Sequence, residues 1–291
     1  MIHRRPSPFS LLAITALTAA LVVIGGSAPA PASTTLLPPG SIAPTEKQRA
    51  IARRVTSMLE GMHFTGAKLD DRISSVVLDR YLDTLDRQRS NLLASDVQEF
   101  EQYRLLFDDM ARTGNVDPAF AIFARYQQRN RERVQFAIDV LAKEPDWTAK
   151  ESFEFDREAA PWPQSVAELN EIWRKRVKND ALSLLLTGKS WTEASDILRK
   201  RYQRSLKRVD QVSTDDVFEA LMNGYARAYD PHSSYFSPRS SEEYRIQMSL
   251  NYDGIGASLQ LIDDYVTIMN VIEGGPAAVA GSLQTNDRIT G

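Results

Sequence analysis

The sequence contains no cysteine, so it can form no disulfide, no thiolate metal site and no lipid-bearing cysteine; stability has to come from packing. Histidine is scarce as well, with three in 291 residues: His3, His63 and His232. A zinc site draws mainly on cysteine and histidine, and the two histidines beyond the amino-terminal leader are too few to build one. No metal or other cofactor is expected. Charge of one sign is also missing, since 35 Lys and Arg face 38 Asp and Glu. That balance argues against bulk attraction to nucleic acid or anionic lipid.

A long apolar run occurs once, from Phe9 to Ile24. It follows the basic pair Arg4 and Arg5 and precedes the small residues of "SAPAPAS", the layout of a secretory signal peptide. Two cuts satisfy the small-x-small rule. The one after Ala30 leaves a proline next to the cut, so cleavage between Ala32 and Ser33 is favoured. An uncleaved anchor is the alternative, although the run is short against the roughly 20 residues of a spanning helix. Loss of residues 1–32 leaves 33 basic residues against 38 acidic ones, a net charge of −5. Export from the cytoplasm is the expectation.

With 43% hydrophobic residues the chain has ample material for real cores. After a Pro-rich spacer over 33–44, apolar residues recur at intervals of three and four, the mark of one-faced helices packed on one another. Val97, Phe100, Phe107 and Met110 form one such series. Others are Leu169, Trp173 and Val177; Leu198, Tyr202, Leu206 and Val209; and Val217, Leu221 and Tyr225. Helix starts are signalled by Ser95 with Gln98, Ser165 with Glu168, Ser190 with Glu193 and, more loosely, Ser213 with Asp216. Asp117 followed by Pro118 adds another. Gly114 and Gly188 stand where carboxyl-terminal caps belong. Near residue 230 the texture changes: "DPHSSYFSPRSSEEY" is dense in turn formers, and after Met248 the period shifts toward two.

Three stretches imitate chemistry. "GIGASL" opens like a dinucleotide loop, but Leu259 stands where a third glycine is required. "LTGKS" ends like a phosphate loop, yet Ser183 replaces its first glycine and no strand precedes it. "DPHSS" sets Asp230, His232, Ser233 and Ser234 side by side; sequence neighbours diverge, whereas a catalytic triad needs convergence, so a structured turn is expected. "RKRYQRSLKR" carries six basic residues around Tyr202 and Leu206, which reads as a solvated helix face, with docking to an acidic partner as the alternative.

"DGIGASLQLIDDYVTIMNVIEGGPAAVAGSLQTNDRITG" closes the chain. Gly254 and Gly256 allow a bend in which the N–H groups of Ile255 to Ala257 share one concavity suited to a carboxylate. The strand beginning at Ser258 then offers an edge for an added peptide. This stretch resembles the first half of a bacterial PDZ domain. Together with "LDRYLDTLDRQRSNLLASDVQEF", "DREAAPWPQSVAELNEIWRKRVKNDALSLLLTGK" and "DVFEALMNGYARAYDPHSSYFSPR", it resembles the tail-specific branch of the carboxyl-terminal processing proteases.

The resemblance implies a mainly α chain: signal peptide 1–32, spacer 33–44, a helical amino-terminal domain 45–240 and a truncated α+β PDZ domain 241–291, with the protease domain absent. It implies a periplasmic serine endopeptidase with a serine-lysine dyad that selects apolar C-terminal tails of substrate proteins, and it leaves room for a periplasmic adaptor. Carboxylate binding falls to Gly254, Ile255, Gly256 and Ala257, and strand pairing to Ser258, Leu259, Gln260 and Leu261. The dyad lies downstream in the family, so no catalytic residue is assigned and this chain is expected to be inactive; a non-enzymatic peptide-binding or scaffold module is the alternative. Asn286 replaces the family's usual glycine before Asp287, a place where asparagine tolerates a left-handed backbone. From Leu250 onward there are 42 residues, roughly half of a module of about 90. Leu259, Leu261, Val266 and Ile268 are therefore expected to lose burial.

Overall fold

The computed structural model describes residues 42–249, 254–262 and 265–290, all within one compact unit, Leu37–Gly291. The leader, the Ser33 start and most of the spacer lie outside the described residues. Among the described residues nine α-helices come first: α1 (Glu46–Met62), α2 (Asp71–Asp86), α3 (Ala94–Phe100), α4 (Phe107–Thr113), α5 (Asp117–Val140), α6 (Val166–Leu185), α7 (Trp191–Asp210), α8 (Thr214–Tyr229) and α9 (Pro238–Ser249). A sheet of β1 (Ala257–Ile262), β2 (Tyr265–Val271) and β3 (Arg288–Ile289) follows, with α10 (Pro276–Ala280) between the last two strands. The chain is mainly α, as its periodicity predicts. Among the described residues no helix is long and apolar enough to cross a membrane.

Local hydrogen bonding explains most of the starts. Ser190 and Ser213 form full capping boxes with Glu193 and Asp216, so the looser of the two signals is as complete as the stricter one. Ser165 caps α6 through the N–H of Glu168, while the Glu168 carboxylate accepts from Gln164 instead. The Ser95 signal is corrected: α3 starts at Ala94, because the Asp96 carboxylate accepts from the Leu93 N–H at 3.0 Å and displaces Gln98 from that role. The single apolar series from Val97 to Met110 is likewise broken, by a 3-10 turn at Glu101–Tyr103. α9 was hidden among turn formers, although Ser237 before Pro238 is a start signal; the Ser237 hydroxyl accepts from the Ser240 N–H at 3.2 Å. α9 runs through positions 240 and 241 and buries none of its residues.

Two cores share one long helix. The larger unites α1, α2, α4 and α8 with the first half of α5, around Tyr81, Phe107, Phe120, Phe218 and Tyr225. The smaller joins the second half of α5, through Val134 and Ala137, to Trp173 and Val177 of α6 and Leu198 and Tyr202 of α7. At 24 residues α5 is about 36 Å long, enough to serve both. The cores are tied where the Trp173 indole donates to the Ser90 carbonyl at 2.6 Å. Ser90 belongs to a loop gathered by buried Asp86, which accepts from the N–H groups of Ser90, Asn91 and Leu92.

In the sheet, β1 pairs antiparallel with β2, and β2 with β3. Ile268 is fully buried, along with Thr267 and Ala277, which corrects the expectation that Ile268 would be laid open. Leu259 and Val266 are exposed as expected, and so is Ile289 of β3. Asn286 takes the left-handed conformation, φ 73°, ahead of β3.

Candidate peptide-binding edge

β1 is the outer strand of the sheet, in the order β1-β2-β3, so among the described residues one of its edges has no partner strand. The loop feeding it is held by two backbone bonds. The Gly256 carbonyl accepts from the Ile272 N–H at 2.8 Å, and the Ile255 carbonyl from the Ala277 N–H at 2.9 Å. Both carbonyls are thus turned inward. The N–H groups of Ile255 and Gly256 donate to no backbone carbonyl among the described residues.

Gly256 is the residue on which this loop depends. Its φ is +75°, and a Cβ there would lie 2.9 Å from Pro276 Cδ and 3.1 Å from the Gly275 Cα. Gly275 is as constrained, since its Cβ would meet the Ile272 carbonyl oxygen at 3.0 Å. Two glycine backbones therefore lie against each other, and the "GIGA" loop rests on the first turn of α10. The sequence shows both motifs; their contact is a tertiary fact. The double glycine ahead of Pro276 is the signal that could have suggested it.

The eight residues assigned to peptide binding thus form one continuous loop and edge strand. Gly254 and Ile255 are exposed, Gly256 and Ala257 half-buried, and Ser258, Leu259 and Gln260 exposed; the Leu261 backbone pairs with Val266. Ser258 also leans on β2, its hydroxyl donating weakly to the Asn270 carbonyl at 3.4 Å.

The "DPHSS" segment is a turn. The Ser233 N–H donates to the Asp230 carbonyl, and its hydroxyl donates to Asp230 Oδ2 at 2.9 Å. Burial pushes the Asp230 carboxyl up, but the Ser233 hydroxyl and the His232 N–H outweigh it and hold it below the usual carboxylate range. An imidazole does reach this serine, and it belongs to His63: its Nε2 lies 3.2 Å from Ser233 Oγ, while its Nδ1 lies 2.9 Å from Thr65 Oγ1. The serine hydroxyl donates its hydrogen bond to the Asp230 carboxylate, and the far nitrogen of the imidazole faces a threonine in place of a carboxylate, which is the wrong order for a nucleophile activated by histidine. His232 is exposed.

The "RKRYQRSLKR" run lies on α7. Tyr202 is buried and Leu206 packs on the smaller core, while Lys200, Arg201, Arg204, Lys207 and Arg208 face solvent.

A two-core helical body leading into a small sheet with an open outer strand defines the class of this molecule, and comparison with known proteins supplies the family. Residues 55–239 match the family described as the tail-specific protease N-terminal domain. The chain is 36% identical over 274 residues to a tail-specific protease of Haemophilus influenzae, covering 93% of this chain and 39% of that protein. It is 29% identical over 121 residues to the carboxy-terminal processing protease CtpA of Bacillus subtilis, covering 38% of this chain and 26% of that protein. This chain belongs to the tail-specific protease family, and it spans about two fifths of the length of the H. influenzae relative.

Proposed function

We propose that this chain is the substrate-selecting part of a periplasmic serine endopeptidase, and that its glycine loop and β1 are the ligand-holding half of a PDZ domain for apolar C-terminal tails. One observation carries the reading. Among the described residues, the open edge of β1 runs directly out of a loop whose carbonyls at Ile255 and Gly256 are used internally and whose N–H groups at the same residues are free of backbone acceptors. A terminal carboxylate fits such a concavity, and the residues before it can add to the strand edge. The names of both relatives, tail-specific and carboxy-terminal processing, agree with that chemistry. Hydrolysis itself is assigned to no residue of this chain.

The test uses a form of the protein extended over the remaining length of its H. influenzae relative. There Gly256→Ala is expected to lower kcat/KM at least tenfold on a reporter ending in apolar residues, because the methyl group forces the loop off α10. Cleavage of a short peptide that reports only on the reacting centre is expected to stay within twofold. Equal losses on both substrates would refute tail selection by this loop. The location is tested separately: protein recovered from the periplasm is expected to begin at Ser33, and a membrane-retained chain keeping residues 1–32 would overturn export by cleavage.

A further inference from the structure

The connection from α5 to α6, residues 141–165, contains no helix or strand, and connections longer than about 12 to 15 residues without either are uncommon and usually functional. It lies along α6 as a strap and is pinned at several points. The Glu151 carboxylate accepts from Arg174 and Lys178 of α6, and Lys178 also donates to the Asp146 carbonyl at 2.6 Å. Further on, the Arg157 N–H donates to Gln88 Oε1 at 2.7 Å, and the Pro163 carbonyl accepts from the Ala94 N–H at 2.8 Å.

Along the run held by these pins the main chain has no partner. From Lys150 to Phe155 no backbone N–H donates and no carbonyl accepts in a hydrogen bond among the described residues, and the chain runs without a bend as far as Glu154. The loop after α2 is closed differently, since the Asp86 carboxylate takes three successive N–H groups there. Backbone N–H and carbonyl groups are strong donors and acceptors, and a straight run of them held open is what an added strand requires.

A cleft of about 300 Å³, at the lower end of the range for ligand sites, lies between this run and α6. Trp147 and Phe153 of the strap and Leu182 and Leu185 of α6 line it. Leu182 is 43% exposed, and Phe153, Leu182 and Leu185 all lie outside the smaller core, so the helices do not need them for packing. Phe155, 73% exposed, stands edge-on to Phe153 and extends the apolar strip. The charges of the lining are already matched, Lys178 with Glu151 and Lys175 with Glu171 at 3.8 Å. The cleft therefore favours uncharged apolar side chains over an acidic or basic ligand.

We infer that the strap is a docking edge for an internal, extended segment of an unfolded polypeptide, which pairs its backbone with residues 150–155 and sets apolar side chains into the cleft beside α6. Alternate residues of a strand face the same side. Glu151 reaches α6 and Phe153 lines the cleft, so a segment paired beside them turns every second side chain the same way. The occupant is an extended chain because six residues of backbone beside one small cleft form a strip that a folded surface cannot follow. Pins on the strap hold the edge in place before the segment arrives, which lowers the cost of ordering it. The segment needs no terminal carboxylate, so the inference stands apart from the reading of the glycine loop.

Fluorescence anisotropy on the 291-residue chain tests this with a labelled ten-residue peptide alternating Leu and Ser, acetylated and amidated so that its ends carry no charge. One twin is N-methylated at its residues 3, 5 and 7, and another at 4, 6 and 8. A strand pairs along one edge, so one twin is expected to bind at least tenfold more weakly than the parent peptide and the other within threefold of it. A third twin with Gly for Leu is expected to lose at least tenfold. Leu182→Ser/Leu185→Ser is expected to bind the parent peptide at least tenfold more weakly while keeping its helical circular dichroism, and Leu182→Ser alone at least threefold more weakly should the double variant unfold. Leu105→Ser, at an exposed apolar position of the larger core's surface, is expected to bind as the unaltered chain does. Equal binding of the two methylated twins, no loss with Gly for Leu, no loss in the α6 variants, or the same loss in Leu105→Ser would each overturn the site.

Discussion

Asp96→Ala is expected to lower the stability of the helical body by about 3 to 5 kcal/mol, the range for removing one partner of a buried ion pair. The Asp96 side chain is 1% exposed and receives Arg125 at 2.7 Å, Arg129 at 2.8 Å and the Leu93 N–H at 3.0 Å. Alanine leaves both guanidinium groups without their shared acceptor and removes the bond that starts α3. Burial pushes this carboxyl up, but Arg129, the Leu93 N–H and Arg125 together pull it below its usual value. The sign of the pH effect follows. A carboxylate depressed in the folded state contributes stability that is complete above its unfolded value, about 3.9, and that is lost as pH falls through the folded value. Urea denaturation followed by circular dichroism measures both effects. A loss under about 1 kcal/mol at pH 7, or an acid transition as steep in the variant as in the parent, would contradict the account.

Brief protease treatment is expected to trim the chain to a stable helical product ending between about Pro238 and Asp253. α9 buries no residue, and Tyr244, Ile246 and Met248 on it are exposed. Its attachment is at its start, where Glu219 of α8 accepts from the Ser237 N–H and the Ser240 hydroxyl. Beyond it the sheet has little interior: Ile268, Thr267 and Ala277 are buried, while Leu259, Val266, Met269, Ile272 and Ile289 are exposed. Large apolar side chains each gain about 1.5 to 3 kcal/mol from full burial, and whole domains keep only about 5 to 15 kcal/mol net. In the 291-residue chain, a peptide with an apolar free carboxylate is accordingly expected to bind no better than its amidated twin. Mass spectrometry of the digest and anisotropy with the two peptides check this pair of outcomes. A chain that resists trimming, or a clear preference for the free carboxylate, would show that the sheet is stable and able to bind as it stands.

Whatever depends on neighbours three or four residues apart was legible in the sequence. The caps at Ser165, Ser190 and Ser213 are closed by bonds that span a single turn, and the left-handed Asn286 and the glycine loop before a strand are marked by the conformations their own residue types allow. Where two local signals competed, the reading slipped: Asp96 displaced Gln98 at the start of α3, and the turn-forming residues around Ser237 concealed α9. The candidate edge was legible as well, because loop and strand are contiguous. Tertiary structure alone decided the rest. Amphipathic helices present interchangeable apolar faces, so nothing local divides them into two cores or places α5 across both. The approach of Gly256 to Pro276 and the burial of Asp96 between two arginines of α5 each join residues far apart in the chain. Those contacts form only after the long-range packing that brings the elements together, and packing is set by the summed fit of many side chains that no short stretch encodes.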